Sequence, residues 1–183
     1  MTGQENSDKQ AIPSTQEARD RLLCDIRLVL FDFDGVFTDN RVMVSQDGTE
    51  SVACWRSDGI GLASLRTCGV DSVIVSGEHN HVVSARARKL GLECIAGCAN
   101  KLDVVKSLLE DRNIDPQCVA FVGNDTPDIE AMDFVGVSIA VADAYPEVRR
   151  CARLVTTAPG GYGAVREICD WIIGAKATSK RKF

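Results

Sequence analysis

The chain has 183 residues, 45% hydrophobic and 26% charged, which predicts one domain with a hydrophobic core. Its 21 basic and 26 acidic residues give a net charge of −5, so the chain has no long-range attraction for nucleic acid or an anionic membrane. No apolar run is long enough to cross a bilayer, so no membrane contact is expected. An anionic ligand would need local positive charge from a metal, a lysine or helix N-termini.

Eight cysteines are spread along the chain, and an even number can indicate disulfide bonds. No two are spaced as Cys-x-x-Cys, and most lie among apolar neighbours, as Cys118 does. We therefore expect reduced thiols in a cytoplasmic protein. Residues 1–25 lack the apolar stretch of a signal peptide, which agrees with that location.

Predicted elements begin with a flexible segment, residues 1–25, that ends in a short helix from about residue 16. An apolar run at 27–33 is typical of a strand buried on both faces. Two β segments flank the turn signal Asp47-Gly48 and predict a hairpin. The hairpin segments cover 41–45 and 50–55. The helices predicted after the hairpin cover 58–68, 79–90, 101–112, 125–132 and 164–174. The strands predicted after it cover 72–76, 92–95, 119–122, 137–141 and 154–156. One domain over 26–175 is then followed by a basic tail, 176–183.

Alternating strands and helices with short connections predict an α/β fold: a Rossmann-like, doubly wound parallel sheet covered by helices on both faces. Sheets of this kind bind ligands at the carboxyl ends of their strands. The side chains that directly follow each strand are therefore the candidates for chemistry.

The first strand ends at Asp32 and Asp34. Residues two apart in a strand point the same way. Neighbouring carboxylates at a buried strand end are costly unless a cation neutralises them or one is protonated. Either state suits phosphoryl transfer, in which one carboxylate attacks phosphorus and the other donates a proton to the leaving group. The alternative is a pair of acids that only cap the strand end.

Two further candidates are weaker when taken singly. Ser76-Gly77 ends the strand at 72–76, where a hydroxyl and backbone N–H groups suit a phosphate oxygen, although most Ser-Gly pairs are turns. Lys101 begins a helix, an end that the helix dipole makes unfavourable for a cation unless an anion binds there. The alternative for Lys101 is a solvated surface side chain.

The strand at 119–122 is followed by the oxygen-rich turn 123–128, Gly-Asn-Asp-Thr-Pro-Asp. Mg²⁺ takes hard oxygen ligands and keeps some of its waters. One group from this turn, together with Asp32 and the carbonyl of Asp34, predicts a magnesium site. Capping of the next helix by Asn124 or Asp125 is a second interpretation, and both can hold together.

The order of these groups resembles the haloacid dehalogenase superfamily: Asp-x-Asp-Gly, then Ser, then Lys, then Gly-Asn-Asp-x-x-Asp, each after a successive strand. Residues 31–39, 56–61, 99–102, 137–143 and 160–167 further resemble the 3-deoxy-D-manno-octulosonate (KDO) 8-phosphate phosphatases. They are also similar to the nonulosonate (KDN or sialic acid) 9-phosphate phosphatases and to the phosphatase-like domain of some CMP-sialate synthetases. The resemblance covers residues 26–175 and implies a capless phosphatase whose hairpin, after the first strand, takes part in a homotetramer.

By this resemblance, Asp32 is the nucleophile, Asp34 the acid and base, and Lys101 a catalytic cation. The implied substrate is a phosphorylated ulosonic acid, either KDN or sialate 9-phosphate or KDO 8-phosphate. The implied phosphate-binding residues are Ser76, Gly77 and Lys101; the implied ligands of Mg²⁺ are Asp32, Asp34, Asn124 and Asp125; the implied substrate-binding residues are Arg56, Glu78, Lys89, Gly160 and Gly161. The alternative for the glycines is a glycine-rich entry to the last helix.

Two positions depart from the octulosonate enzymes. Asn124 stands where they usually carry Asp, which removes a charge from the metal site unless Asp125 or Asp128 compensates. Glu78 stands where they typically carry Arg, and a glutamate there resembles the nonulosonate branch, with Lys89 available for the sugar-acid carboxylate. The alternative for Glu78 is a helix cap.

Two other functions compete with a phosphatase. The lost charge at Asn124 motivates a catalytically weak oligomerisation domain associated with CMP-sialate synthesis. A phosphoaccepting receiver domain also combines acidic strand ends, a hydroxyl and a lysine. Receivers, however, place the acceptor Asp after the third strand, where residues 95–97 read Ile-Ala-Gly. The sequence therefore favours a Mg²⁺-dependent phosphomonoesterase.

Overall fold

A computed structural model describes residues 16–180, in which strands and helices alternate. The strands are β1 (Leu28–Phe31), β2 (Met43–Val44), β3 (Glu50–Ser51), β4 (Asp71–Val75), β5 (Glu93–Ile95), β6 (Val119–Gly123), β7 (Val137–Ala140) and β8 (Leu154–Val155). The helices are α1 (Gln16–Leu23), α2 (Asp58–Thr67), α3 (His81–Leu90), α4 (Lys101–Arg112), α5 (Ile129–Phe134), α6 (Pro146–Cys151) and α7 (Ala164–Lys180). Short 3₁₀ helices, Pro116–Cys118 and Thr126–Asp128, precede β6 and α5.

Six strands form one sheet in the order β5-β4-β1-β6-β7-β8, and every neighbouring pair is parallel. In the centre, Leu28 of β1 lies opposite Asp71 of β4 on one side and Val119 of β6 on the other. The chain leaves β1 toward β4 and β5 and later returns to β6 on the opposite side. Sheets with such a reversal hold their ligands beside it, at the carboxyl edge.

The central strands are apolar, and the helices that flank the sheet bury them. Every residue of β1 and β6 is buried. α2 and α1 pack against α7, while α4 packs against α5. Beyond β1, Phe37 pairs with Phe31 and Phe33 at ring-centroid distances of 5.6 and 5.8 Å, and these contacts fix the loop that follows the strand. None of the helices in residues 16–180 has the length and apolar composition to cross a membrane.

The predicted α/β fold with a parallel sheet is confirmed, but the hairpin is shorter than predicted. β2 and β3 have two residues each, joined by a turn in which Ser45 N–H donates to Thr49 O (2.8 Å). A two-stranded ribbon outside the main sheet has little to stabilise longer pairing. Its apolar side chains are exposed, Met43 to 67%.

The C-terminal end of the domain also differs from prediction. α7 continues to Lys180, so residues 176–180 are helical instead of a tail, and Lys176 Nζ donates to the carbonyl of Cys24 (3.1 Å). At the other end of the domain, the short helix predicted from about residue 16 is present as α1, which packs on α7 and buries Leu23. Predictions for residues 1–15 and 181–183 lie outside the described residues.

Candidate active site

A cavity of about 430 Å³ opens at the carboxyl edge of the sheet, where β1, β4 and β6 end. The loops after these strands and the first turn of α4 form its walls. Its lining includes Asp32, Asp34, Ser76, Gly77, Glu78, Lys101, Asn124, Asp125 and Asp128. The fold therefore gathers around one cavity most of the side chains that the sequence marks as candidates.

The loop after β1 places two carboxylates at the cavity. The N–H of Asp32 donates to Val122 O of β6 (2.9 Å), so Asp32 is anchored at the sheet edge, and the residue is only 7% exposed. Asp34 lies in the loop and is less buried. The chain turns at Gly35, where φ is +80° and a Cβ would lie 2.0 Å from Asn124 Nδ2. Only glycine fits there, because both the backbone conformation and the close approach exclude a side chain.

Lys101 is buried, which rules out the alternative of a solvated surface side chain. Asn100 caps α4 by accepting from the N–H groups of Leu102 (2.9 Å) and Asp103 (3.3 Å), so the helix begins at the cavity wall. From there Lys101 Nζ lies 2.7 Å from Asp32 Oδ1 and 2.6 Å from Asp128 Oδ1. The ammonium therefore bridges two carboxylates.

Asp128 was considered from the sequence only as a compensating charge, and its pairing with Lys101 was missed. Its side chain is fully buried, and its Oδ2 accepts from the N–H groups of Asn124 (2.9 Å) and Asp125 (3.2 Å). Asp128 is the third residue after Asp125, the spacing of a capping box, and this spacing is the signal that could have indicated an inward-facing carboxylate.

Asp32, Asp128 and Lys101 are three buried charges that sum to one negative charge. Burial and the charge of Asp128 raise the pKa of Asp32 to about 7, against the opposing effect of Lys101. Burial and Glu78 raise the pKa of Asp34. Burial alone would lower the pKa of Lys101, but Asp32 and Asp128 outweigh it and raise that pKa. The site is thus short of positive charge, and a divalent cation would supply it.

Oxygen atoms beside Asp32 could hold a divalent cation. The terminal amide atom of Asn124 that faces the loop lies 3.1 Å from Asp32 Oδ2 and 2.9 Å from the carbonyl oxygen of Asp34. As nitrogen, this atom donates to both oxygens. As oxygen, it lies beside two further oxygens, one from a carboxylate and one from a backbone carbonyl. Octahedral Mg²⁺, roughly 2.0–2.1 Å from each ligand, spaces neighbouring oxygens about 2.9 Å apart. The two distances to the Asn124 amide atom are therefore compatible with neighbouring ligands of one such ion.

The candidate metal ligands carry little negative charge. Within residues 16–180, no three His, Cys, Asp or Glu side chains are arranged to hold a metal. Asp125, an expected ligand, lines the cavity, but its Oδ1 accepts from Thr126 N–H (2.6 Å) and so serves as a cap. A cation at this site would rely on one carboxylate, one amide and one backbone carbonyl.

Asn124→Asp is therefore expected to bind Mg²⁺ about tenfold more tightly than the unchanged protein, because a carboxylate adds charge without changing shape. Calorimetric titration with MgCl₂ measures this directly. Asn124→Leu, which keeps similar bulk but has no oxygen, is the control and should lose binding. Equal affinities in all three proteins would remove Asn124 from the metal site.

Ser76, at the end of β4, presents its hydroxyl to the same cavity. Its N–H donates to Ile95 O (2.9 Å), and its Oγ accepts from Glu78 N–H (3.2 Å). The hydroxyl proton therefore remains available to an anion. Gly77 is exposed and lines the cavity beside Ser76, and Glu78 lies at its rim.

Four expected substrate-binding residues are not brought to this cavity. Lys89 lies in the last turn of α3, at the opposite end of that helix, and Arg56 is exposed but outside the cavity lining. Gly160 N–H donates to Asp143 Oδ1 (2.8 Å), and Gly161 N–H to Val36 O (3.1 Å). The two glycines pack against the loop after β1, because a Cβ on either would lie within 2.5 Å of its backbone. In this chain they support the site instead of lining it.

The fold and the site define a known class of enzyme. Residues 70–167 match the haloacid dehalogenase-like hydrolases, and the chain belongs to that family. Over 152 residues it is 39% identical to the 3-deoxy-D-manno-octulosonate 8-phosphate phosphatase KdsC of Escherichia coli (strain K12), an alignment that covers 82% of this chain and 81% of the relative. The predicted superfamily and the prediction of a phosphatase are confirmed.

Solved structures agree with this assignment. A HAD family hydrolase of Streptomyces avermitilis is 46% identical, with a TM-score of 0.81 over 90% of each chain. The 3-deoxy-D-manno-octulosonate 8-phosphate phosphatase of Moraxella catarrhalis, solved with magnesium, phosphate and KDO, is 30% identical, with a TM-score of 0.86 over 91% of this chain and 97% of its own. The Haemophilus influenzae enzyme has been solved with cobalt; it is 29% identical, with a TM-score of 0.82 over 86% of this chain and 92% of its own.

Proposed function

We propose that the protein is a Mg²⁺-dependent phosphomonoesterase that hydrolyses a phosphorylated ulosonic acid, KDO 8-phosphate or KDN or sialate 9-phosphate, through an aspartyl-phosphate. The observation that carries the proposal is Lys101 held between Asp32 and Asp128, beside an Asn124 amide that lies 3.1 Å from Asp32 Oδ2 and 2.9 Å from the Asp34 carbonyl oxygen. The named relatives support the substrate class.

In the first step a carboxylate oxygen of Asp32 attacks phosphorus and the bond from phosphorus to the sugar oxygen breaks. Asp34 donates its proton to that oxygen, which therefore leaves as a neutral hydroxyl group of the sugar acid. In the second step Asp34 takes a proton from water, whose oxygen attacks the same phosphorus and releases Asp32 and inorganic phosphate. Both aspartates have then regained their starting charge.

Positive charge placed at the phosphoryl group provides most of the rate acceleration in phosphoryl-transfer reactions. Lys101 is buried and fixed by Asp128, so its ammonium contributes without reorganising. Mg²⁺ bound by Asp32, Asn124 and the Asp34 carbonyl would neutralise the oxygens of the phosphoryl group. The hydroxyl of Ser76 donates a hydrogen bond to the phosphoryl group, and Gly77, which has no side chain, leaves room for that group.

The proposal includes a homotetramer built on the hairpin. Val42, Met43 and Val44 expose 52%, 67% and 63% of their surface on one short ribbon. An exposed apolar group of this kind favours pairing with another chain.

The test is phosphate release from KDO 8-phosphate and from KDN and sialate 9-phosphates, each with MgCl₂ and with EDTA. We expect turnover of at least one of them, lost with EDTA and restored by excess Mg²⁺. A folded, Mg²⁺-saturated protein that is inert on all three esters and on p-nitrophenyl phosphate would instead favour the oligomerisation domain associated with CMP-sialate synthesis.

A further inference from the structure

A second cavity, of about 260 Å³, continues the active-site cavity toward the hairpin and the first turn of α3. We call it the hairpin cleft. Asp34, Asn40 and Glu78 line both cavities, so the two lie next to each other. A phosphate ester with its phosphorus against Asp32 must place its leaving group near Asp34, the proton donor. The hairpin cleft is the space that opens on that side.

The hairpin is attached to α3 at the wall of this cleft. Asn80 caps α3 by accepting from Val82 N–H (2.9 Å), and its Nδ2 donates to the carboxylate of Glu50 on β3. Asn80 therefore uses both ends of its amide, one on the helix and one on the hairpin. This bond ties the short ribbon to the rigid part of the domain.

The hairpin cleft is lined by three acidic residues, Asp34, Glu50 and Glu78, and one basic residue, Arg41. The carboxylates of Glu50 and Glu78 accept hydrogen bonds, as sugar hydroxyls require. Arg41 is the one cationic residue among the described residues that line the cleft. In the neighbouring cavity the cation is Lys101, which Asp32 and Asp128 already neutralise. A carboxylate on the leaving group would have Arg41 as its partner.

Arg41 is free to take that role. Its backbone is fixed by a hydrogen bond from its N–H to Asp39 Oδ1 (3.2 Å). Its guanidinium is exposed and forms no ion pair with any acidic residue in the described part of the chain. An arginine fork matches a carboxylate in a bidentate manner, which gives orientation as well as attraction.

We propose that the hairpin cleft binds the leaving group of a phosphorylated polyhydroxy acid, and that Arg41 selects such acids by pairing with their carboxylate. This inference rests on the proposed phosphatase function and adds a residue that determines specificity. Pairing with the sugar-acid carboxylate, which the sequence led us to expect of Lys89, is thereby assigned to Arg41, which lines the cleft.

The test compares KDO 8-phosphate with its C1 methyl ester, which differs by loss of the carboxylate charge. Arg41→Met is expected to lower kcat/KM for the acid by about 10- to 100-fold and to leave the ester within about twofold. Arg41→Lys should recover part of the loss. Arg149→Met, which removes an exposed arginine of α6 outside both cavities, is the matched control and should change neither substrate.

Binding of the unphosphorylated acid gives an independent readout. In calorimetry with KDO itself, Arg41→Met should weaken affinity at least about tenfold relative to Arg149→Met. Equal loss on acid and ester, or unchanged KDO affinity, would overturn the role of Arg41. An unchanged protein that hydrolyses no ester would contradict the proposed function, and KDO affinity would still decide the role of Arg41.

Discussion

Asp32→Asn is expected to lower kcat for phosphate release by about 10⁴-fold or more, because an amide does not attack phosphorus. The substitution keeps the shape of the side chain, and its oxygen still accepts from Lys101, which lies 2.7 Å from Oδ1. The fold should therefore survive, as circular dichroism and the thermal midpoint would show. Asp133→Asn, an exposed aspartate on α5 outside the cavity, is the control and should retain full activity.

The same nucleophile can be demonstrated chemically. With p-nitrophenyl phosphate the leaving group departs without a proton, so Asp34→Asn should still form the phosphoenzyme but hydrolyse it slowly. Acid quenching followed by mass spectrometry should then find one phosphoryl group on the peptide that contains Asp32. Substantial turnover by Asp32→Asn, or a phosphoryl group on another residue, would refute the assigned nucleophile.

The framework of this site was predictable because it depends on local patterns. The apolar run before Asp32 and the regular alternation of strands and helices fix the parallel sheet, and the sheet fixes where strand-end side chains meet. α4 was predicted at its observed bounds, Lys101–Arg112, and the structure shows local groups at both ends: Asn100 caps its start, and Asn113 adopts the left-handed conformation that ends a helix.

The pairing within the site was not predictable, because it depends on contacts distant in sequence. Nothing local distinguishes a buried lysine from a solvated one at the start of a helix, and Lys101 meets Asp128 across 27 positions. The predicted length of the hairpin was wrong for a similar reason. Its β propensity is real, but strand length depends on partners, and β2 and β3 have only each other.

Lys101→Met is the second substitution for which we expect a large effect, on both kcat and stability. Losing the ammonium should lower kcat by about 10²–10³-fold, since charge at the phosphoryl group is removed. It should also lower the free energy of unfolding by about 3 kcal/mol at pH 8, because Asp32 and Asp128 would remain buried without a cation. Denaturant unfolding and phosphate release measure the two quantities on the same protein.

The double variant Lys101→Met/Asp128→Asn separates catalysis from stability. The amide introduced at position 128 would keep an oxygen for the N–H groups of Asn124 and Asp125, from which Asp128 now accepts at 2.9 and 3.2 Å, while one buried charge is removed. Most of the lost stability should return, because the repulsion between the two carboxylates is gone. Activity should not return, because the phosphoryl group still lacks its cation. Recovery of activity together with stability would show that Lys101 acts only by holding the fold, and would remove it from the catalytic groups.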